Sequence, residues 1–384
     1  VPGVVVTRNS AQPGREQWNF QMRGASSVNN SEPLVIIDGV PVPSTNALNS
    51  LNPNDIDNIS FLKDAAAAIY GSRAAGGVVL ITTKRAKNGK PTVEYSAAFS
   101  QKKIGLQPNL VRVNDWWPLI REARGNDGFA PTDIWYNLTT VMEKALGQGK
   151  QWLTPAEYQA LSVPGAGLFG DVKDFPFFDQ TMQDVLWGTA QSQEHQLSVS
   201  SRGDKSGYRV SLGYLNDGSL LQWGNNSNKR YNLRLTHDYS FSEKLKLATN
   251  ISLERQQIIQ PTRLGDIMNN GIQQGLPFFN QKGQAYVWGS GIANASQVSI
   301  AAFGGDNKET NTRVNTNLSL TYNVLPDLKL VGTAGYYLLN TDYRTFENNI
   351  PFYDYTGANL IAYLPTRSSY QRGNKQEAFY SANA

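Results

Sequence analysis

The sequence predicts a transmembrane β-barrel fronted by a small mixed α/β domain. Three observations carry that reading. Seven stretches after Thr92 alternate apolar and polar residues with period two, and their apolar face holds no Asp, Glu, Lys or Arg. The connections between those stretches are alternately short and long, as in a barrel with one inner and one outer rim. Residues 1–90 follow a different pattern and read as a domain of their own, leaving 91–384 as barrel strands and loops.

Composition removes several classes. Thirty-five Lys and Arg against 31 Asp and Glu leave a net charge of +4, with no basic run of the kind that tracks phosphates, so no nucleic-acid partner is expected. No apolar run approaches the ~18 residues of a spanning helix, which leaves spanning strands open. The chain has no cysteine and only two histidines, His195 and His237, so thiolate chemistry and His-rich metal sites are excluded. No GxSxG motif occurs, and two distant histidines cannot form HExxH. Neither DGFAPTD at 127–133 nor Gly304-Gly305-Asp306 has EF-hand ligand spacing, so calcium stays unassigned. Neither an enzyme nor a cofactor is expected. Val1 opens without a leader, read as a mature chain, a trimmed one or an excerpt.

In the first domain, β-prone runs fall at Val4–Thr7, Phe20–Arg23, Leu34–Ile37, Ile59–Leu62 and Gly77–Thr83. Asp64 can cap a short helix over AAAAIY that Gly71 stops. The unbroken run GGVVLITT suits a strand covered on both faces. The Asn- and Pro-rich links at 25–33 and 41–54 are free to meet a ligand.

In the second region the long connections are placed at about 102–194, 215–229 and 257–311, with another over 340–384. Tyr231 and Tyr239 lie ~26 Å apart along one strand, ~20 Å of depth once tilted, near the spacing of two aromatic girdles. A soluble sandwich shows the same alternation but has no reason for that loop asymmetry. His237 falls in register with the lipid face, where it is tolerated near the short-loop rim. Seven strands leave two bare edges, and unpaired backbone in hydrocarbon costs several kcal/mol per group. A filling domain of ~90 residues needs a lumen as wide as the ~22-strand class, so seven strands amount to about a third of the barrel.

Several segments resemble the SusC/RagA family of TonB-dependent outer-membrane transporters of Bacteroidetes-type bacteria. They are VPGVVVTRNSAQPG at 1–14, MRGASSVNN at 22–30, PLVIIDGVPV at 33–42, the stretch LNPNDIDNISFLKDAAAAIYGSRAAGGVVLITTKRAKNGKP at 51–91, and QEHQLSVSSRGDKSGYRVSLGYLNDGSLL at 193–221. The resemblance implies that 1–90 is the later part of a plug domain and that the barrel has 22 strands. It implies import of an oligosaccharide, less often an oligopeptide, under a SusD-like surface lipoprotein lid. A dimer of such pairs is implied, as is energy from the proton-motive force through a TonB–ExbB–ExbD complex, whose contact segment should precede Val1. The competing class is a non-transporting glycan-binding adhesin.

The family's plug motifs fall on Arg23, Gly24, Asp38, Gly39, Asp64, Gly71 and Arg73. Arg23 and Arg73 are candidates to pair with carboxylates of plug or wall, or only shape the plug's fold. Asn29, Asn30, Ser44, Thr45, Asn46 and Asn49 are candidates for the floor of a binding cavity, against the alternative of ordinary turn residues. Trp116, Trp117, Trp135, Trp223 and Trp288, all in long connections, offer flat faces to cargo, or serve as cores of the loops themselves.

Overall fold

The apolar runs that open the chain pair into two small sheets. β1 (Val4–Arg8) and β2 (Trp18–Met22) form an antiparallel hairpin. β3 (Leu34–Ile37), β4 (Val40–Pro41), β5 (Ile56–Leu62) and β6 (Val78–Thr83) form a sheet in the order β4-β3-β6-β5, with β3 and β6 parallel. The inner place of β6 accounts for its unbroken apolar run, since Val78, Val79 and Ile81 are all buried. Helix α1 (Ala65–Ala68) is a single turn, ended by Gly71 at φ +74°. The computed structural model describes the chain except residues 1–3, 9, 11, 17, 23–31, 43–47, 49–50, 64, 106–110, 167–173, 180–184, 266–274, 290–294 and 384.

Strand β7 (Gly89–Lys102) begins the second architecture. A long connection follows with α2 (Val113–Asn126), α3 (Ile134–Gly147), β8 (Trp152–Leu153), α4 (Pro155–Leu161) and β9 (Phe175–Pro176). Then come β10 (Ala190–Arg202), β11 (Ser206–Gly218), β12 (Ser227–Ser240) and β13 (Leu245–Pro261). Helix α5 (Gln297–Phe303) precedes β14 (Gly305–Leu325) and β15 (Leu328–Glu347). β16 (Ile350–Tyr353) and β17 (Leu360–Leu364) pair with each other before β18 (Ser369–Asn383). The eight long strands form one antiparallel meander, β18-β15-β14-β13-β12-β11-β10-β7, open at both edges among the described residues.

This sheet is inside out by soluble standards. Leu212 is 50 % exposed and Leu253 42 %, while Arg234 and Glu254 are 6 % and 5 % exposed. The plug domain covers the polar face of β10 to β14, and among the described residues the apolar face meets no second sheet. Leu247 and Ile251 are only partly covered and Leu318 is exposed, so the sandwich alternative fails. An exposed apolar face of this extent needs lipid against it.

Two expectations need correction. The sheet has eight strands, because 369–383, placed in a loop, pairs with β15. The middle connections are also shorter than expected, at 219–226 and 262–304, because the strands run on past their apolar segments. β14 and β15 have 21 and 20 residues, about twice what a bilayer requires. Beyond the bilayer no face must be apolar, so the hydrophobic period stops while the backbone ladder continues. In β18 the outer half carries Arg372, Asn374 and Gln376, which hides it from a period-two reading.

His237 lies three residues from the short-loop end of β12. Its Nε2 is 3.0 Å from Ser206 Oγ, and its ring lies near Tyr239. His195 also faces outward, with Nδ1 2.8 Å from the Tyr95 hydroxyl, and its ring is stacked between Tyr95 and Tyr214. Tyr214 in turn meets Tyr231 at 5.2 Å. Aromatic rings thus cluster toward both ends of these strands, as rings at two membrane interfaces do.

Candidate functional site

The plug is held to the wall at three heights. Near the short-loop rim, Arg85 of the plug pairs with Asp238, which also accepts from Arg202 at 3.2 Å. Midway, the buried Asp55 follows the turn capped by Asn52 and meets two wall strands. It takes a hydrogen bond from Gln196 Nε2 at 2.8 Å and faces Arg234 Nε at 3.5 Å. Beside it, Asp38 accepts from the Thr83 amide at 2.9 Å and hydroxyl at 2.7 Å, and from the wall's Asn250. Toward the long-loop rim, Arg15 pairs with Glu309 at 2.8 Å and Gln12 donates to Gln260 at 2.6 Å.

Shape reinforces charge. Asp38 has φ +49° and Gly39 φ +83°, a tight turn that presents Val40 to the wall. There the wall residue is Gly335, where a Cβ would stand 2.4 Å from Val40 Cγ1. Gly213 is a second dent, where a Cβ would stand 2.8 Å from Asn52 Nδ2. The plug is seated in a matching surface, and a small void of about 20 Å³ lies at the contact beside Asp55, Arg234 and Glu254.

Above the wall, the long connections fold into a body with cores of their own. In the first, Asp133 caps α3 and Thr154 with Glu157 forms a capping box on α4. Lys150 first, then the Thr154 amide and hydroxyl, hold Glu157 down to about 2. Val141, Ala145, Leu153 and Tyr158 are buried together there. In the others, Val298, Ile300, Ile350 and Phe352 form a second core with Leu186.

Between these cores lies an apolar pocket of about 220 Å³. Trp116 and Trp135 come to it from the first connection and Trp288 from the third, over Leu138, Met142, Phe175 and Phe177. None of its described lining residues is charged or carries an amide side chain. The pocket can hold one large apolar group and offers little to a hydroxyl array.

The structure therefore brings together three of the five tryptophans. Trp117 does not line the pocket but packs on the first core, under Arg121, whose guanidinium carbon is 4.7 Å from the ring centroid. Trp223 donates its indole N–H to the Val185 carbonyl at 2.8 Å and packs on Phe279. Arg73 is exposed and forms no ion pair among the described residues. The candidates Asn29, Asn30, Ser44, Thr45, Asn46 and Asn49, with Arg23, Gly24 and Asp64, lie outside the described residues. Sequence reasoning missed Asp55 and Arg85. Arg234, a cation in mid-strand on a face turned to the plug, was the signal that a buried carboxylate must meet it.

Comparison with known proteins agrees with this architecture. Residues 1–78 match the TonB-dependent Receptor Plug Domain. The TonB-dependent receptor SusC of Bacteroides thetaiotaomicron is 31% identical over 261 residues, 65% of this chain and 21% of its own length. The TonB-dependent receptor P26 of Formosa agariphila is 29% identical over 255 residues, again 65% of this chain and 22% of its own. The chain thus spans about a fifth of the curated relatives it matches. The structure of the RagAB peptide transporter superposes over 100% of this chain and 42% of that one, with a TM-score of 0.71 at 20% identity, a likeness of fold.

Proposed function

The chain belongs to the SusC/RagA-like TonB-dependent transporters, and from that premise we propose active import across the bacterial outer membrane. One observation supports this above others: an eight-stranded sheet with a bare apolar face turns its polar face toward a seated plug. An open pore has no use for Asp55, Asp38 and Arg85 contacts at graded depths. A plug that must hold against leakage and yet yield to force does.

Import in this reading begins with reversible capture among the long connections, then displacement of plug segments by the TonB–ExbB–ExbD complex. A SusD-like lipoprotein covers the loop body from outside, and two such pairs form the assembly. No cofactor takes part, and calcium has no assigned residue.

For the cargo, the resemblance to the family favours an oligosaccharide. The pocket favours an oligopeptide, because sugar recognition sets polar side chains beside aromatic faces and the described lining residues supply no charged or amide side chain. We take the peptide reading as the one the geometry supports. Cells expressing the full-length protein should accumulate a labelled tryptic peptide mixture in preference to a maltooligosaccharide ladder, and only with TonB present. Uptake that persists without TonB rejects the import reading, and preference for the oligosaccharides rejects the peptide cargo.

A further inference from the structure

Where the apolar zone of the wall ends, its outward face becomes a pair of ordered rows. His195, Tyr214 and Tyr231 stand opposite one another on β10, β11 and β12, and Arg255 of β13 is opposite Tyr231. Two residues nearer the long-loop rim, a second row on the same face runs Phe99, Gln193, Asn216, Lys229 and Gln257 across five neighbouring strands. Three strand spacings separate Phe99 from Lys229, about 14 Å. A groove of about 360 Å³ opens at the Phe99 end, with the amides of Gln101, Gln191, Gln193 and Asn216 in its lining. Lys229 and Arg255 are exposed. Among the described residues, the side chains of Gln193, Asn216, Lys229 and Arg255 complete no hydrogen bond or ion pair.

The charge on this side is unbalanced. From the aromatic row toward the long-loop rim, the outward face of β12 to β15 and β18 carries Lys229, Arg255, Lys308, Arg344 and Arg372 against Asp306 and Asp342. Lys308, Arg344 and Arg372 are directly opposite one another on three neighbouring strands. Asp342 is shared between Arg344 at 3.0 Å and Arg372 at 2.9 Å, and Lys308 has no ion pair among the described residues. Like charges set opposite one another destabilise a ladder, and anions from outside the chain relieve that. The surroundings select the anion. On the membrane side of the two rows, Leu233 and Leu253 are opposite each other and exposed, so whatever meets the cations has apolar surface beside it to cover. Amides next to an aromatic ring suit sugar hydroxyls, and basic side chains at the edge of a bilayer suit phosphate headgroups.

We propose that these rows seat a phosphorylated glycolipid of the outer leaflet, with its acyl chains on the apolar face, its sugar against Phe99, Gln193 and Asn216, and its phosphates on Lys229 and Arg255. Lys308, Arg344 and Arg372 carry the attraction further from the bilayer. A free phosphate would find the cations but leave the leucines bare, whereas a lipid covers both. The inference rests on the sheet standing in the outer membrane and is independent of what the protein imports.

Native mass spectrometry of the full-length protein in non-ionic detergent tests this, titrated with an acylated, bisphosphorylated glucosamine disaccharide and with its dephosphorylated form. The phosphorylated lipid should bind more tightly. Lys229→Gln with Arg255→Gln should weaken it about fivefold per cation, roughly twenty-five-fold for the pair, and abolish the preference for phosphate. Lys205→Gln with Lys244→Gln removes the same charge from exposed turns at the opposite rim and should change nothing. Gln193→Ala with Asn216→Ala should weaken both lipids by the same factor, as loss of sugar contacts does. Equal binding of the two lipids by the natural protein overturns the seat. So does an equal loss in both lysine-bearing pairs of variants, or a Lys229 and Arg255 change that leaves the lipid bound and instead separates two copies of the protein. Transport is not read in this titration, so a failure of the import reading and a failure of the lipid seat are told apart.

Discussion

Replacing Asp55 by Ala should loosen the plug from the wall more than any surface change. Asp55 and Arg234 are 5 % and 8 % exposed at their side chains, so the change leaves a buried guanidinium with Asn250 Oδ1, at 3.0 Å, as its remaining hydrogen-bond acceptor among the described residues and with Asp38 and Glu254 nearby. Breaking a buried pair from one side costs about 3–5 kcal/mol, to which the lost acceptor of Gln196 adds about 1 kcal/mol. A domain of this size has a urea dependence of about 1 kcal/mol per molar, so plug opening should move down by roughly 3 M or more. The 384 residues hold no cysteine, so Ala67→Cys, at a position 3 % exposed in the plug core, reports opening by maleimide labelling of the full-length protein across a urea series. The double change Asp55→Ala with Arg234→Met should recover most of the loss, because it removes the stranded charge as well. A midpoint shift under about 1 M for the single change, or a double change whose loss is the sum of the two singles, would refute the reasoning.

Three further outcomes follow from the same geometry. Leu235→Arg, midway between Tyr231 and Tyr239 on the apolar face, should cost about 2–4 kcal/mol of folding into liposomes, read from urea titration in lipid, while Glu243→Arg in the exposed turn should cost nothing measurable. Gly335→Val should destabilise plug seating by about 1–3 kcal/mol through its clash with Val40, measured by the same maleimide assay, whereas Gly332→Val, with nothing within 4 Å of its new Cβ, should not. Thr154→Ala removes one half of the α4 capping box and should cost that helix about 1 kcal/mol, seen as faster hydrogen exchange in 155–161 with the strands unchanged.

The wall was legible wherever the bilayer imposes its rule. From Leu245 to Leu253 the alternation is clean because one face is bare and the other meets the plug, and from Val93 to Phe99 the same rhythm holds in an edge strand that the plug leaves uncovered. Past that zone the rule lapses, which is why β18 and the outer ends of β13 and β14 went unread. The pocket shows a different limit. Trp116, Trp135 and Trp288 are separated along the chain, and only the packing of α2 and α3 against the 275–288 segment brings them together. Asp55 was masked by company: in LNPNDID it reads as one more turn residue, although its partner Arg234 stood visible on the polar face.

Lipid contact on alternate residues is the measurement that reaches the account most directly. Single cysteines placed in turn at 232 to 236 and 250 to 254 of the full-length protein in liposomes would carry a fluorophore, quenched either by nitroxide-bearing lipid chains or by aqueous iodide. The account predicts strong lipid quenching at 233, 235, 251 and 253, and little at 232, 234, 236, 250, 252 and 254, which face the plug side and not the lipid. Quenching by iodide at the first group, or the loss of any two-residue rhythm, would contradict a sheet that stands between membrane and plug.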